Sequence, residues 1–299
     1  VNPSLGADSP TQFHIGTYIQ LEKTFNADLV QSVEVGLDEP MNLAGGVEWR
    51  QDSFETISGQ KESWEAGPLS DQGFDIGTSG FVGFGPDSQG IASRTSIAAY
   101  IDVELNLTDD LMLGGALRYE DYSSFGDTTN FKLTARYAAT DELSFRGSIS
   151  SGFRAPTVGQ ANVVSTKTTT IDGEQVQTAL FAPTHLLAKF YGGQELTPEN
   201  SDSYAFGAVY QNGDFFLTAD YYHIEVTDRL TTSNNFSVDP ADYDALIAAG
   251  IDKPQSYSAV NYFVNDLDTT TQGIDLVASY SMELLNGDTS FNLAYNWNE

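Results

Sequence analysis

The sequence predicts an all-β chain: an antiparallel transmembrane β-barrel segment of about ten or eleven strands with long extracellular loops. Three observations predict it. Period-two segments recur along the chain, apolar on one face and polar on the other. The connections between them alternate short and long. Aromatic residues gather near strand ends, at Tyr119, Tyr122, Tyr137, Tyr210, Tyr221, Tyr222, Tyr295 and Trp297. Rings at the two membrane–water boundaries form girdles; the strand propensity of aromatics is the competing account.

Side chains in a strand alternate faces. In order along the chain, Met41, Leu43, Gly45, Val47 and Trp49 alternate with a face carrying Glu48 and Arg50. Residues 94–107 are the clearest segment: Thr95, Ile97, Ala99, Ile101, Val103, Leu105 and Leu107 share a face, opposite Arg94, Ser96, Tyr100, Asp102, Glu104 and Asn106. Leu111 to Tyr119 alternates with a face that includes Arg118 and Glu120. Phe131, Leu133, Ala135 and Tyr137 oppose Lys132, Thr134 and Arg136, and Leu143 to Ile149 opposes Ser144, Arg146 and Ser148. Tyr204 to Tyr210, Ile274 to Met282 and Phe291 to Trp297 complete the series. The period is two, not 3.6.

Short turns are expected at Asp38–Glu39, Asp109–Asp110, Thr140–Asp141, Asn212–Gly213 and Asn286–Gly287. The two Asn-Gly pairs are hairpin signals because both residues accept positive φ. Loops are expected at 55–92, 122–129, 152–199 and 229–259. A membrane barrel has this asymmetry: short periplasmic turns and long extracellular loops. Within the last loop, Asp239–Gly250 predicts one short helix, with Pro240 in its first turn and Gly250 at its end.

The chain of 299 residues is 40% hydrophobic, with a mean hydropathy of −0.26. No apolar run approaches the roughly 18 residues of a membrane helix, which leaves barrel strands open as the crossing element. With 42 acidic and 13 basic residues the net charge is −29, which argues against nucleic acid as a partner. Solubility is the simplest use of the acid; cation binding and lipopolysaccharide-associated Ca²⁺ are the others. No cysteine is present, so disulfides and thiolate chemistry are excluded. The sequence begins at Val1 without a signal peptide, as expected of a processed or partial chain.

No motif points to a catalytic site, and none implies a cofactor. His14, His185 and His223 lack partners at metal-ligand spacing. The cluster Asn265-Asp266-Leu267-Asp268 lacks the glycine-centred pattern of an EF-hand, and the glycine-rich stretch 80–90 lacks the lysine of a phosphate loop. In the acidic loop 55–92, Trp64, Phe74, Phe81 and Phe84 are the candidate ligand-binding residues, suited to stacking on a sugar ring or an aromatic siderophore; a loop-packing cluster is the alternative.

From Gly115 to Leu230 the chain resembles TonB-dependent outer-membrane receptors. The resemblance rests on Leu117-Arg118-Tyr119-Glu120-Asp121-Tyr122, then Phe125-Gly126 and Phe131-Lys132-Leu133, then Leu143 to Ser148 running into Gly152-Phe153-Arg154-Ala155-Pro156. It continues through Glu195-Leu196-Thr197-Pro198-Glu199-Asn200-Ser201 and Asp220 to Asp228, and more loosely covers residues 23–299. It implies a barrel of 22 strands plugged by an N-terminal domain, so that residues 1–299 are a partial barrel domain with plug and C-terminal strands absent. Arg146 and Arg154 are expected in the lumen, paired with Asp102, Glu104 or Glu120. Pro156 and Pro198 are expected to bound strands, and a bulge is expected near Ile224 and Val226. The implied function is TonB-energised uptake of a scarce nutrient (siderophore-iron, cobalamin or an oligosaccharide) across the outer membrane of a Gram-negative bacterium. The implied partners are membrane lipid, the TonB complex acting through the plug, and an unidentified small molecule. A passive outer-membrane channel and a secreted β-rich adhesin or carbohydrate-active protein are the alternatives.

Overall fold

The computed structural model describes every residue except 172, 173, 252, 253, 255, 256 and 286, and backbone alone for residue 87 and the rest of 167–177. The strands are β1 (Gly16–Val33), β2 (Met41–Ser58), β3 (Gly90–Thr108), β4 (Leu111–Tyr122), β5 (Gly126–Ala138), β6 (Leu143–Arg154), β7 (Ser165–Ile171), β8 (Glu174–Phe181), β9 (Glu199–Asn212), β10 (Phe215–Thr232), β11 (Phe236–Ser237), β12 (Ala259–Leu284) and β13 (Gly287–Asn298). The α-helices are short: α1 (Val158–Asn162), α2 (Leu186–Phe190) and α3 (Tyr243–Ala248).

The wall is an antiparallel meander in the order β1-β2-β3-β4-β5-β6-β9-β10-β12, with β13 on the far side of β12. Of the thirteen strands, β7, β8 and β11 lie in the long loops, which leaves ten in the wall. The sheet is not closed, so β1 and β13 are edges. Every wall strand exceeds the roughly 9–11 residues that cross a bilayer; β12, at 26 residues, rises furthest.

The two faces differ as the alternation requires. Outward side chains include Phe25 (64% exposed), Ile97 (62%), Phe206 (58%) and Leu293 (66%). A continuous apolar band of this kind is not kept against water; lipid covers it, and the inner face carries the charge. Two aromatics expected in the girdles depart from it. Tyr122 has the even parity of Arg118 and Glu120 and is buried on the inner face. Tyr222 shares the inner face with Asp220. The period-two rule itself assigns both inward. Tyr119, Tyr137, Tyr210, Tyr221, Tyr295 and Trp297 are outward and exposed.

The turns sit where expected, at residues 34–40, 109–110, 139–142 and 213–214, with Gly213 at φ +54. Asn286 lies outside the described residues; its neighbour Gly287 opens β13. The loop expected at 122–129 contracts to residues 123–125, because β5 starts at Gly126 and pairs at once with Tyr122. The expected bulge lies just beyond Val226: the β10–β12 register shifts between Val226 and Leu230, and Asp228 takes φ 56. Asp268 accepts from Asp228 N (3.0 Å), and the Asn265 amide donates to the Asp228 and Thr197 carbonyls (2.6 and 2.9 Å). The acidic cluster thus staples the bulge.

A sheet between lipid and lumen has no core of its own. The packed core lies in the loops, where Phe181, Leu187, Val238, Leu246, Ile251, Val260 and Tyr262 cluster. The hairpin β7–β8 builds it, β8 pairing in parallel with the upper end of β12 from Ala259 to Tyr262. The expected helix forms as a 3₁₀ turn at Pro240–Asp242 leading into α3, with Gly250 just past its end at φ +93.

Candidate functional site

Several cavities open at the long-loop end, and two of them gather the chemistry. The first, of about 500 Å³, lies between loop 59–89, the β7–β8–α2 loop and the loop before β12. Its walls include Trp64, Val82, Phe84, Phe181, His185 and Tyr257. The loops reach it because they bond to one another: Val82 N donates to the Thr166 carbonyl at 3.2 Å. Asn2, fully buried, donates to the Glu62 and Glu65 carbonyls (2.9 and 3.0 Å) and pins the Trp64 segment between them.

Of the four sequence-predicted aromatics, the fold brings three together. Trp64 and Phe84 line this cavity. Phe81 meets Phe84 edge-on at 5.8 Å. Trp64 donates its indole N–H to the Gly59 carbonyl (3.3 Å), and Phe84 packs on Tyr18 (4.4 Å). Phe74 lies elsewhere in the loop, half exposed. On the opposite wall His185 stacks on Phe181 at 4.1 Å, and Phe181 meets Tyr257 edge-on. Burial pushes the His185 imidazole below its ordinary pKa. It is therefore neutral near pH 7, and its Nδ1 accepts from Leu187 N as the cap of α2 (3.2 Å).

The second cavity, about 380 Å³, opens on the inner wall below the loops and is lined by Arg50, Asp52, Arg94, Arg118, Tyr122 and Arg154 among others. Alternation places Glu48, Arg50 and Asp52 on one face of β2, and Arg118 and Glu120 on one face of β4. Neighbouring strands then complete a ladder: Arg50–Glu48 at 3.1 Å, Arg118–Glu48 at 3.3 Å, Arg118–Glu120 at 2.9 Å and Arg94–Asp52 at 3.0 Å. Arg94 also donates to the Pro156 carbonyl (2.5 Å), and its guanidinium lies over the Tyr122 and Phe125 rings at 5.0 and 5.8 Å. Cation–π contact of this kind adds about 0.5–2 kcal/mol as the site desolvates. The loop after β6 is thereby fastened to β3.

The partners expected for two arginines are corrected here. Arg154 pairs with Glu199 (2.8 and 2.5 Å), which also accepts from Leu230 N. Arg146 pairs with Asp220 (2.8 and 2.6 Å). Asp102, Glu104 and Glu120 lie on β3 and β4, whereas across the long loop β6 pairs with β9, and β10 is the next strand beyond it. Sequence reasoning named Glu48 and Glu199 only as members of strand motifs, without a pairing role, and did not name Asp52; the pattern Glu-x-Arg-x-Asp at 48–52 was the available signal. Among the described residues no group of three His, Cys, Asp or Glu side chains is placed to hold a metal.

The model of the family "TonB dependent receptor-like, beta-barrel" matches residues 2–299. The chain belongs to that family. Its members are receptors and transporters of the Gram-negative outer membrane, and that is where this barrel wall resides. The TonB-dependent receptor chain is similar in fold to the siderophore receptor PirA of Pseudomonas aeruginosa (TM-score 0.65, 14% identity, 95% of this chain and 44% of that one). It is similar also to the ferric enterobactin receptor PfeA of the same organism (0.63, 16%, 94% and 36%). A third is the FrpB iron transporter of Neisseria meningitidis (0.54, 15%, 95% and 37%). The chain thus spans less than half the length of these receptors. No curated protein matches it.

Proposed function

We propose that this chain supplies wall and capture surface to a receptor for TonB-energised uptake of a scarce nutrient, with siderophore-bound iron as the favoured cargo. The observation that carries this is the aromatic cavity roofed by three cross-bonded loops above a charged, lipid-embedded wall. A preformed apolar site with a few polar groups is the usual form of a small-molecule site. Trp64 and Phe84, with Phe81 packed edge-on against Phe84, would contact the ligand. The solved neighbours named as siderophore and iron receptors support the cargo class. In this reading a plug domain fills the lumen, couples to the TonB complex and gates release, and further strands close the sheet between β1 and β13. The chemistry is binding and release, with no covalent step.

The test is uptake of radiolabelled ferric siderophores by iron-starved cells with and without the intact receptor. Expected is receptor-dependent uptake that disappears in cells lacking TonB, and that Trp64→Ala reduces several-fold at limiting ligand. Uptake that persists without TonB would sink the energised reading in favour of a passive channel.

A further inference from the structure

On the outer face of the wall one patch lacks side-chain bulk. Ala135 on β5 and Gly147 on β6 are direct cross-strand partners, and large side chains surround them. Leu113 on β4 and Phe206 on β9 continue the same row. Leu133 and Ile149 lie one pleat above, toward the long loops, and Tyr137 and Phe145 one pleat below. The result is a pit of about 620 Å³ with apolar walls, bounded on its far side by Tyr204, Phe206 and Tyr221. Phe145 stacks on Phe206 at 6.1 Å, which fixes the ring at the edge of the pit. Gly147 has no positive φ. A Cβ added to it would meet only ordinary contacts, 3.6 Å from the Ala205 carbonyl oxygen and 4.0 Å from the Phe206 ring. Neither backbone nor packing demands glycine here. Glycine inside a strand weakens it and often marks a place where another molecule comes close.

The strands that floor the pit end in acid. The β3–β4 turn carries Asp109 and Asp110, and the β5–β6 turn carries Asp141 and Glu142, all exposed. Neither turn holds a lysine or arginine, and among the described residues none of the four carboxylates is in an ion pair. Ala135 and Gly147 lie three and four residues from the strand ends at Ala138 and Leu143, roughly 10–14 Å along a strand. That is within one leaflet, about half of the roughly 30 Å hydrocarbon core. We propose that the pit holds an acyl chain of a phospholipid from the leaflet on the short-turn side, and that this lipid bears an ammonium headgroup seated on the acidic turns. A lipid is the occupant because the pit is continuous with a face that lipid already covers. Walled on several sides, the chain gains dispersion contacts that a smooth wall offers on one side alone. The headgroup class follows from charge, since an ammonium is drawn to the four carboxylates and a head of net negative charge is repelled. Tyr137, outward and exposed just below the pit floor, stands where aromatic rings meet headgroups. The inference needs only the membrane location, so it stands apart from the nutrient proposed above.

The test titrates the intact receptor in detergent micelles with phosphatidylethanolamine or phosphatidylglycerol of identical acyl chains. Lipid retained per receptor through gel filtration is counted by mass spectrometry, and heat-modifiable gel mobility checks folding. Wild type should retain phosphatidylethanolamine at a several-fold lower lipid concentration than phosphatidylglycerol, with the gap shrinking as salt is raised. Gly147→Leu fills the pit and should weaken retention several-fold in a folded barrel; Ala135→Phe fills it from β5 and replaces the first variant if that one does not fold. Asp141→Asn with Glu142→Gln should narrow the preference between the two lipids and leave the pit able to hold a chain. A wild type that retains neither lipid, or a folded pit-filled variant that retains as much as wild type, overturns the site. Equal retention of the two lipids by wild type overturns the ammonium assignment. A dimeric wild type that becomes monomeric when the pit is filled gives the pit to a second copy and overturns the lipid reading.

Discussion

Gly207 shows how a single residue sets a charge pair. Arg146 and Asp220 belong to strands that are not neighbours; β9 runs between them, and Gly207 is the residue they must cross. A Cβ built there would collide with the Asp220 carboxylate. The pair is partly open to the lumen, with Arg146 about half exposed, so its own worth is about 1 kcal/mol or less. The collision adds a steric penalty. Gly207→Ala should therefore destabilise the barrel by about 1–3 kcal/mol, more than Asp220→Ala does. The double variant should recover most of the difference, since removing the carboxylate removes the clash. The unfolding midpoint of each variant, read from heat-modifiable mobility, checks this. Equal losses in the two single variants would show that the crossing over Gly207 is not tight.

At the scale of elements, the long loops fold as a module above the wall, and one titratable side chain is built into it. His185 caps α2 through an unprotonated Nδ1 and stacks on Phe181. Protonation would set an N–H against the Leu187 N–H and charge a buried ring. Because burial depresses its folded pKa, the stability it contributes is fully present above its unfolded value of about 6.5. That stability is lost as pH falls below 6.5 and through the lower folded value. Protease cleavage within residues 182–198 should rise between pH 7.5 and pH 5, and His185→Asn, which keeps a capping acceptor, should flatten the change. Wild-type cleavage that does not vary with pH would rule out this coupling. The elements also divide by how far the sequence exposes them. β2 to β6, β9, β12 and β13 are legible because lipid on one side and water on the other force strict alternation. β1 is not: Lys23 interrupts its outward face, and Leu29 and Val30 are adjacent apolar residues on opposite faces. The β7–β8 hairpin is hidden for another reason. Its strands are held by the loop core and by four parallel pairings to β12, contacts made far along the chain. The cavity inherits that limit: the aromatics of loop 59–89 could be picked out, whereas Phe181, His185 and Tyr257 on the opposite wall could not.

For the whole molecule, the same alternation decides which substitutions the fold tolerates, because the two faces meet different solvents. Leu133 and Thr134 are neighbours on β5. Leu133 is half exposed on the outer face, in a row with Val103, Gly115, Ile149 and Tyr204. Thr134 faces the lumen, where Gly114 opposite it leaves room. Arginine at 133 must carry its charge into hydrocarbon, at a cost of about 2–4 kcal/mol near the midplane of a barrel wall. Arginine at 134 extends into a polar space already furnished with Lys132 and Arg136, where the cost is a modest like-charge repulsion. Leu133→Arg should therefore lower the yield of folded, outer-membrane-fractionated receptor by an order of magnitude or more, and Thr134→Arg should leave it nearly unchanged. If the molecule were instead a sandwich with Leu133 in a protein core, Leu133→Ala would be nearly as damaging as Leu133→Arg, because the cost would be lost packing. Against lipid, which closes over the smaller side chain, Leu133→Ala should be mild. The ranking Leu133→Arg far below Leu133→Ala, with Thr134→Arg close to wild type, is the signature of a wall between lipid and lumen.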